Sequence, residues 1–563
     1  MRTPDPDRIA EIYRRITESG RDEVFITLRE AADVEADYRA ALAAGGPLAG
    51  LLLAVKDNVD VAGLPTTAAC PGYSYTPEAD APAVAALRAA GAVVIGKTNL
   101  DQFATGLVGT RSPYGAVRDA NRPEYISGGS SSGSAVAVAL GFADIAIGTD
   151  TAGSGRVPAG LQGIVGIKAT LGVVSTSGVV PACASYDCVT IFARDLATAQ
   201  DAMATMSSGA PQRDWPADTP LAAATLPRIA IPAELPGLDL EWRAAFGAAV
   251  ARAEAAGMAI TEIPMAEFFA AADLLYNGAL VAERYAAVGE FVTAAGPDAG
   301  LDPTVAAIIT GGKDHSAVDL LADRAAVDRL RDRAMALLRD CAALMVPTAP
   351  RHPKIAEVTA DPIGVNTAMG RYTNFCNLFD LCAIAVPAGM ATDGAQFGVT
   401  LLAPAHHDGV LADLAARFLG CDEAPGWPET AGVLACADLA VFGLHLRGQP
   451  LEHQLAGRGA RWAGPLRTAP RYRLFELDTE PAKPALIRDE HVGASIAGER
   501  WVLPVALLGE FLAALPAPMQ LGAVELDDGT WITGFAADHE AAMAGRDITA
   551  AGGWRAARSV PAC

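Results

Sequence analysis

Residues 128–173 read GGSSSGSAVAVALGFADIAIGTDTAGSGRVPAGLQGIVGIKATLGV. Two segments dense in glycine and serine, around Ser130 and Ser154, flank a mostly apolar run. A hydroxyl on glycine-flanked backbone suits a nucleophile that needs free N–H groups nearby. Such segments also occur in linkers, but a linker rarely encloses a long apolar run. The stretch is therefore a candidate catalytic element.

The composition predicts a large globular protein. A chain of 563 residues is too long for one ordinary domain, so two or three are expected. Its apolar fraction of 51% and charged fraction of 19% suit a large core and argue against disorder. The 43 Lys and Arg against 65 Asp and Glu give a net charge of −22. So acidic a surface argues against nonspecific binding to nucleic acid or to an anionic membrane.

The targeting and cysteine signals favour a cytoplasmic protein without a metal site. The first residues, MRTPDPDRIAEIYRRI, lack the apolar core of a signal peptide, and Asp144 and Asp380 interrupt the longest apolar stretches. The nine cysteines are scattered and odd in number, which favours reduced thiols over a disulfide framework. Cys183 and Cys188 lie close together but lack companions at metal-ligand spacing.

Helical and apolar segments alternate in the pattern of an α/β protein. The periodicity predicts helices over 7–45, 80–90 and 134–141 and a largely helical region over 265–345. Short apolar runs predict strands before Lys56, in GAVVIGKTNL and IAIGTD, and over 342–350 and 382–390, the last two each ending in proline.

Three side chains outside the opening stretch are candidates for the same site. Lys56 ends an apolar strand, where burial would disfavour its ammonium form. A lysine at a strand end can equally extend its charged head to solvent. Tyr276 and Arg284 lie eight residues apart, so one helix would bring both toward one pocket. Spacing alone equally allows a core tyrosine and a solvated arginine.

The composition changes at CDEAPGWPETA, residues 421–431, which combines proline, glycine and acidic residues. We predict a catalytic domain over 1–425, a linker over 426–436 and a second domain over 437–563. The second domain contains short strands with turn signals such as DDG, in LAVFGLHLRGQPL, RYRLFEL, ERWVLP and GAVELDDGTWITGF. This pattern is typical of a smaller α+β, barrel-like domain.

These residues allow a nucleophile to be activated without histidine. A neutral Lys56 can draw a proton from Ser130, which can draw one from Ser154. The backbone N–H groups around the second serine would then face the developing oxyanion. The residues that carry these groups are Thr151, Ala152, Gly153 and Ser154.

Five segments together resemble the amidase signature family, the Ser-cisSer-Lys amidohydrolases. They are KDNVDVAGLPTT (56–67), GGSSSGSA (128–135), GTDTAGSGRVPA (148–159), GIKATLGVVS (166–175) and VPAGM…GVTLLAP (386–404). The resemblance covers roughly residues 7–420. It implies Ser154 as nucleophile, Ser130 as bridging serine, Lys56 as base and Ser131 as a supporting hydroxyl. It also implies a mixed central β-sheet wrapped by helices, without metal or cofactor.

A departure from the family pattern narrows the resemblance. Many members have GGSIR at the nucleophile, whereas this chain has AGSGR, with Ala152 and Gly155. TAGSGRVPA, VSTSGVVPACASYDCVTIFA and FGLHLRGQPLEHQL are similar to the allophanate hydrolases of that family. That resemblance implies Tyr276 and Arg284 at the carboxylate of allophanate and release of ammonia from its terminal amide. It also implies a C-terminal domain that assists decarboxylation of the product, a homodimer, and a functional link to a urea carboxylase.

Candidates in the second domain are weaker. A decarboxylating site would benefit from a group that titrates near neutrality, but scattered histidines are more often surface residues. The histidines considered are His445, His453, His491 and His539, and the arginines that could pair with an anion are Arg447 and Arg488.

Three other functions remain open at this point. The first is another amidase of the family acting on a different small amide. The second is an amidotransferase subunit acting on charged transfer RNA, against which the negative charge and the added domain argue. The third is a noncatalytic binding module, against which the combination of Lys56, Ser130 and Ser154 argues.

Overall fold

A computed structural model describes residues 7–421 and 426–559. Residues 1–6 and 422–425, which belong to the predicted catalytic domain, and residues 560–563, which belong to the predicted second domain, lie outside this range. The described chain is a mixed α/β structure with one large sheet and two small ones.

The large sheet has eleven strands in the order β1-β3-β2-β4-β6-β5-β10-β11-β9-β7-β8. It is mixed: β2 pairs in parallel with β3 and β4, whereas β6, β5, β10 and β11 form an antiparallel centre. The strands are Phe25–Leu28 (β1), Leu52–Lys56 (β2), Val93–Thr98 (β3), Ile145–Asp150 (β4), Val165–Lys168 (β5), Cys188–Ala193 (β6), Arg228–Pro232 (β7), Ala259–Ile263 (β8), Ala343–Pro347 (β9), Leu381–Met390 (β10) and Gln396–Pro404 (β11).

Helices pack against this sheet, and the central strands are buried throughout. The helices are Arg8–Ser19 (α1), Ala31–Ala44 (α2), Pro82–Ala89 (α3), Ser132–Ala139 (α4), Val157–Gln162 (α5), Leu196–Ser207 (α6), Leu240–Ala255 (α7), Ala266–Asn277 (α8), Ala282–Ala294 (α9), Pro303–Gly311 (α10), Ala317–Leu338 (α11), Ile355–Ala360 (α12), Gly364–Met369 (α13), Phe375–Leu378 (α14) and Asp408–Leu419 (α15).

The parallel pairing of β2 with β4 brings the carboxyl ends of these two strands together. Val55 lies opposite Ile147, so the carboxyl ends of both strands meet at one edge of the sheet. Helix α4 packs against β2, β3, β4 and β6, and its residues 132–138, mostly small, are buried. A Cβ atom on its Gly133 would lie 2.4 Å from the carbonyl oxygen of Val24, so only glycine permits this close approach.

The C-terminal region forms two smaller sheets, in the orders β13-β16-β12-β18-β17 and β15-β14-β19. Its strands are Cys436–Val441 (β12), Arg461–Arg467 (β13), Tyr472–Leu477 (β14), Lys483–Arg488 (β15), Ala497–Pro504 (β16), Met519–Glu525 (β17), Trp531–Ala537 (β18) and Arg546–Asp547 (β19). Its helices are His453–Ala456 (α16), Val505–Ala513 (α17), His539–Ala544 (α18) and Trp554–Ser559 (α19). A separate apolar core fills this region.

The segment predicted as a linker packs against the large sheet's helical layer. Trp427 is only 1% exposed, stands edge-on to Trp215 at 5.6 Å, and donates from Nε1 to Ser207 Oγ at 2.9 Å. Farther on, Gly459 of the C-terminal region accepts a hydrogen bond from the backbone of Leu221. The two regions are therefore joined by packing as well as by the chain.

Two details of the secondary-structure prediction were wrong. The region 7–45 is not wholly helical, because β1 lies between α1 and α2 as an edge strand paired with β3. The strand predicted over 382–390 is present as Leu381–Met390, but it does not end at its proline: it continues through Pro387, with a shift in register beside β11 between Pro387 and Gly389. A proline is tolerated at such an irregularity because no ladder hydrogen bond is required of it there.

Candidate active site

Lys56 is the last residue of β2 and lies beneath the glycine-rich loops. Its Nζ is 2.8 Å from Ser130 Oγ and 2.7 Å from Thr149 Oγ1. Thr149 stands near the end of β4, so the parallel strand ends supply both the lysine and a partner that holds it. The side chain is 0% exposed, which excludes the solvent-directed lysine.

The two serines of the opening stretch complete a continuous chain of hydrogen bonds. Ser130 Oγ lies 2.9 Å from Ser154 Oγ, within hydrogen-bond distance, so Lys56, Ser130 and Ser154 are spaced as the predicted sequence of proton carriers. The peptide bond between Gly129 and Ser130 is cis. A Cβ atom on Gly129 would lie 2.1 Å from Asp101 Oδ2, so this loop conformation requires glycine.

The environment of Lys56 favours its neutral amine. Burial lowers the pKa of Lys56 to about 7, against the opposing effect of the nearby carboxylates of Asp101, Asp187 and Asp150. At neutral pH a large fraction of the amine is unprotonated and can accept a proton from Ser130. The neutral amine of Lys56 is therefore available to act as a base.

A buried ion pair shapes the turn that carries Ser154. Arg156 donates from Nε and Nη2 to the two carboxylate oxygens of Asp150, each at 2.9 Å, and both side chains are fully buried. Burial alone would raise the pKa of Asp150, but the guanidinium outweighs it and holds that pKa below its usual value. The turn reverses at Gly153, whose φ of +135° favours glycine. The hydrogen bonds between Asp150 and Arg156 therefore hold the two ends of this turn together.

The predicted oxyanion donors differ in availability. The backbone N–H of Gly153 donates to Asp150 Oδ1 at 3.0 Å, so it is already engaged. The prediction of Gly153 as a donor therefore does not fit this geometry, because the carboxylate that shapes the turn occupies that group. In the part of the chain that the structure describes, the N–H groups of Thr151, Ala152 and Ser154 donate to no other group. They remain the candidates.

Ser131 supports the floor of the site. Its Oγ donates to the carbonyl oxygen of Thr149 at 3.1 Å and accepts from the N–H of the same residue at 3.2 Å. The hydroxyl therefore ties the first glycine-rich loop to β4. It does not contact Lys56 or Ser154 in these hydrogen bonds, which is consistent with a supporting role.

Tyr276 and Arg284 come together, although not on one helix. Tyr276 lies near the end of α8 and Arg284 in the first turn of α9, because the chain breaks at Gly278 with an extended conformation. Arg284 donates to the hydroxyl of Tyr276 at 3.2 Å and to Thr105 Oγ1 at 3.0 Å. The guanidinium is 2% exposed and, among the described residues, has no carboxylate within 4.0 Å. A buried cation without a counterion is suited to bind an anion.

Asp187 connects this cation with the nucleophile turn. It accepts hydrogen bonds from the side chain of Thr151 and from the backbone N–H groups of Ala182 and Cys183. Burial raises the pKa of Asp187, whereas the positive charge of Arg284 lies close enough to oppose that rise. Arg284 therefore lies beside the loop that buttresses the turn of Ser154.

Sequence reasoning missed four polar residues of this site: Thr149, Asp150, Arg156 and Asp187. Three of them stand in the motif GTDTAGSGR, which was singled out for its serine and glycines. Their partners are supplied partly from remote strands and loops, so spacing could not pair them. The only available signal was the presence of charged residues inside an otherwise apolar and small-residue segment.

The second-domain candidates separate into one buried residue and several surface residues. His445 is 8% exposed and lies against the Phe535 ring at 4.8 Å and edge-on to Phe511. His453, His491 and His539 are exposed and do not line the cavity beside His445. Arg447 is exposed and packs its guanidinium over Trp462, and Arg488, also exposed, pairs with Glu525 at 2.8 Å.

Two further searches of the described ranges gave no site. No group of three or more His, Cys, Asp or Glu residues in them is arranged to hold a metal ion. No helix in them is long and apolar enough to cross a membrane. The eight cysteines within them are free thiols, among them Cys183 and Cys188.

Comparison with known proteins matches the two regions of the chain to two family models. Residues 10–411 match the family described as Amidase. The chain belongs to the amidase family. Residues 437–559 match the family described as allophanate hydrolase C-terminal domain. As a member of this family with a complete Lys-Ser-Ser arrangement, the protein is an amidohydrolase.

Similar proteins include solved structures that match almost the whole length of the chain. The allophanate hydrolase of Kluyveromyces lactis is 38% identical, with a TM-score of 0.86, covering 98% of this chain and 97% of that one. The urea amidolyase of Saccharomyces cerevisiae is 41% identical over 542 residues, 91% of this chain. The chain spans only 29% of that relative's length. The K. lactis urea amidolyase structure gives a TM-score of 0.87 at 38% identity, with 98% of this chain and 36% of that one covered.

Proposed function

We propose that this protein hydrolyses the terminal amide of allophanate, the carboxylated form of urea. The observation that carries the proposal is the buried, uncompensated guanidinium of Arg284, held by Tyr276 and Thr105 beside the loop of the nucleophile turn. Allophanate presents a carboxylate and an unsubstituted amide, and a guanidinium binds a carboxylate through two parallel hydrogen bonds. Binding at Arg284 would orient the amide toward Ser154. The likeness to the K. lactis enzyme supports this substrate.

The first half of the reaction forms an acyl enzyme. As Ser154 Oγ attacks the amide carbon, its proton moves to Ser130 Oγ, while the proton of Ser130 moves to Lys56 Nζ. The free N–H groups of the turn stabilise the developing oxyanion. Lys56 returns the proton through Ser130 to the leaving nitrogen, and ammonia departs.

The second half releases the acid. Water attacks the carbamoyl-type ester and loses a proton toward the same relay, and Ser154 regains its proton as the ester bond breaks. The product is an N-carboxylated carbamate, a small dianion. We propose that the C-terminal region, residues 437–563, assists its decarboxylation, with His445 as the histidine of that step.

The remaining assignments belong to the same proposal. We place the catalytic domain at 1–425 and the linker at 426–436, with a homodimer in the cytoplasm and a functional link to a urea carboxylase. The length of the matched urea amidolyases supports that link, since the chain corresponds to only part of each of them. A carboxylation of urea is the class of reaction that must supply this substrate.

The test is ammonia release from allophanate, biuret, malonamate and simple neutral amides. Ser154→Ala should abolish release from every substrate. Arg284→Ala should lower kcat/KM for allophanate and malonamate by about a hundredfold, because the carboxylate loses its charged partner. It should change the rate on neutral amides by less than about threefold.

Arg252, on α7, provides a matched control. Arg252→Ala removes an arginine outside the site and should leave all rates unchanged. Equal losses on carboxylated and neutral substrates after Arg284→Ala would reject allophanate as the substrate and leave a general amidase.

A further inference from the structure

Asp187, the residue before β6, presents a buried carboxylate to the nucleophile turn. Its Oδ1 accepts a hydrogen bond from the hydroxyl of Thr151 at 2.5 Å, and its Oδ2 accepts from the backbone N–H groups of Ala182 at 2.9 Å and Cys183 at 3.1 Å. Because all three partners are donors, they favour the ionised carboxylate, although burial raises the pKa of Asp187. In the described part of the chain, no cationic side chain lies within 4.0 Å of it. Asp187 is therefore a buried negative charge without a directly paired cation.

Two cationic side chains of the active site lie close enough to interact with this charge. The guanidinium of Arg284 opposes the rise in the pKa of Asp187. Burial lowers the pKa of Lys56, and three nearby carboxylates oppose that effect. They belong to Asp101, Asp187 and Asp150. One carboxylate thus acts both on the proposed base and on the proposed anchor of the substrate.

The loop that carries Asp187 is also fastened to α9, the helix that carries Arg284. The backbone N–H of Ser185 donates to Glu283 Oε2 at 2.9 Å. Arg324, on α11, donates to the hydroxyl of Ser185 at 2.9 Å and to Glu283 Oε1 at 2.7 Å, so it neutralises that carboxylate. These contacts hold the loop beside the first turn of α9 and fix the position of Asp187 relative to the guanidinium.

We propose that Asp187 is a positioning residue for both ends of the substrate: it holds the nucleophile turn through Thr151, and its charge limits how tightly the site binds a carboxylate at Arg284. The inference rests on the proposed function, because it assumes that the carboxylate of the substrate binds at that guanidinium. The same charge stabilises the ammonium of Lys56 that forms as Ser154 attacks. Asp187 therefore weakens the binding of an anion and strengthens the base that activates the nucleophile.

Two substitutions separate the charge of Asp187 from its hydrogen bonds. In Asp187→Asn, the amide oxygen can accept from the N–H groups of Ala182 and Cys183, while the amide nitrogen donates to Thr151 Oγ1. This variant removes the charge and keeps the three contacts. Thr151→Val keeps the shape of the side chain and the charge of Asp187 but removes the hydroxyl that joins them.

Labelling of Ser154 by a neutral fluorophosphonate measures both effects in the full chain. The dependence of the labelling rate on pH between 5.5 and 9 reports the charge state of Lys56, because the relay activates the serine. Protection from labelling by malonate, a small carboxylate, reports the affinity of the amidase site for an anion. Neither measurement requires turnover of allophanate.

We expect Asp187→Asn to move the acid limb of the labelling profile to lower pH by at least about 0.5 pH unit, because Lys56 loses a charge that raises its pKa. Malonate should protect this variant at about fivefold lower concentration, because one repulsive charge is gone. Thr151→Val should lower the labelling rate about tenfold at every pH, since the turn is held less firmly. Its acid limb and its malonate protection should stay native, and Thr151→Ser should recover the rate.

Asp408→Asn is the matched control. Asp408, the first residue of α15, is also buried and also accepts from a threonine hydroxyl and a backbone N–H, both of Thr170, at 2.6 Å and 2.9 Å. It is not among the carboxylates that act on Lys56. The control should keep the native acid limb and should change malonate protection by less than about twofold.

Circular dichroism melting curves check that each variant is folded. If Asp187→Asn does not fold, Asp187→Ser, which leaves room for a water molecule in place of the carboxylate, carries the same test. An unchanged acid limb together with unchanged malonate protection, or equal shifts in the Asp187 and Asp408 variants, would overturn the proposal. Failure of the native chain to release ammonia from allophanate would instead reject the proposed function, and labelling and protection would still decide on Asp187.

Discussion

At the scale of single residues, the proposed chemistry depends on the charge state of Lys56. Its pKa of about 7 means that the fraction of neutral amine rises through neutrality. We expect kcat/KM for allophanate to fall about tenfold for each pH unit below 7 and to level off above about pH 8. Initial rates of ammonia release between pH 5.5 and 9 measure this profile.

Lysine variants test whether this pH profile arises from Lys56 or from a general effect of pH on the protein. Lys56→Met should leave at most a trace of activity at every pH, because it removes the amine that receives the proton of Ser130 in the proposed relay. Lys313→Met, at an exposed position, should keep the native profile. A Lys56→Met protein with near-normal turnover would disprove the lysine relay.

Individual residues also show what could be predicted from the sequence. Lys56, Ser130 and Ser154 were identifiable because their types and their motif contexts limit the possible chemistry. Thr149 and Asp187 were not, because a threonine beside a lysine and a carboxylate beside a turn acquire their roles only through folding. The pairing of Tyr276 and Arg284 was predicted with the wrong geometry, since α8 ends before α9 begins.

At the scale of elements, the turn between β4 and α5 holds Ser154 in place through the pair of Asp150 and Arg156. Asp150→Asn would leave a fully buried guanidinium without its counterion, which costs about 3–5 kcal/mol of unfolding free energy. We expect that loss in urea unfolding, together with a fall in kcat of at least about tenfold from misplacement of the turn.

A surface pair provides the comparison. Asp438 and Arg500 join β12 and β16 through two hydrogen bonds, but both side chains are partly exposed. Asp438→Asn should therefore cost no more than about 1 kcal/mol and leave kcat unchanged. If both substitutions destabilised the protein equally, the buried pair would not be what holds the turn.

Elements differ in how far sequence could predict them. Strands β2, β4 and β9 were predictable because buried strands are continuous apolar runs. Strand β1 was not, because four residues carry no period and it exists only by pairing at the sheet edge. The mixed order of eleven strands depends on long-range pairing, which no local pattern encodes.

At the scale of the whole molecule, the change in composition near residue 421 indicated a second domain, but it suggested a loose connection. In the structure, Trp427 in the predicted linker is buried against Trp215 and hydrogen-bonded to Ser207. A proline- and glycine-rich segment hides such docking, because the tryptophan's partners lie more than two hundred residues earlier. Because of this packing, we expect the contact between the segment and the first domain to be lost in the same transition in which the C-terminal region unfolds.

Trp427→Ala tests that attachment. Removing a fully buried tryptophan leaves a cavity and costs about 3–5 kcal/mol, so the first unfolding transition in urea should shift to lower concentration. Limited proteolysis should then cut the chain near residues 421–431 faster than in the native protein, because the segment no longer packs. Trp531→Ala is the matched control, since Trp531 is 50% exposed on β18 and its loss should cost less than about 1 kcal/mol. Equal unfolding curves and equal cleavage rates for the two variants would show that the segment is a linker in the ordinary sense, with the two regions folding independently.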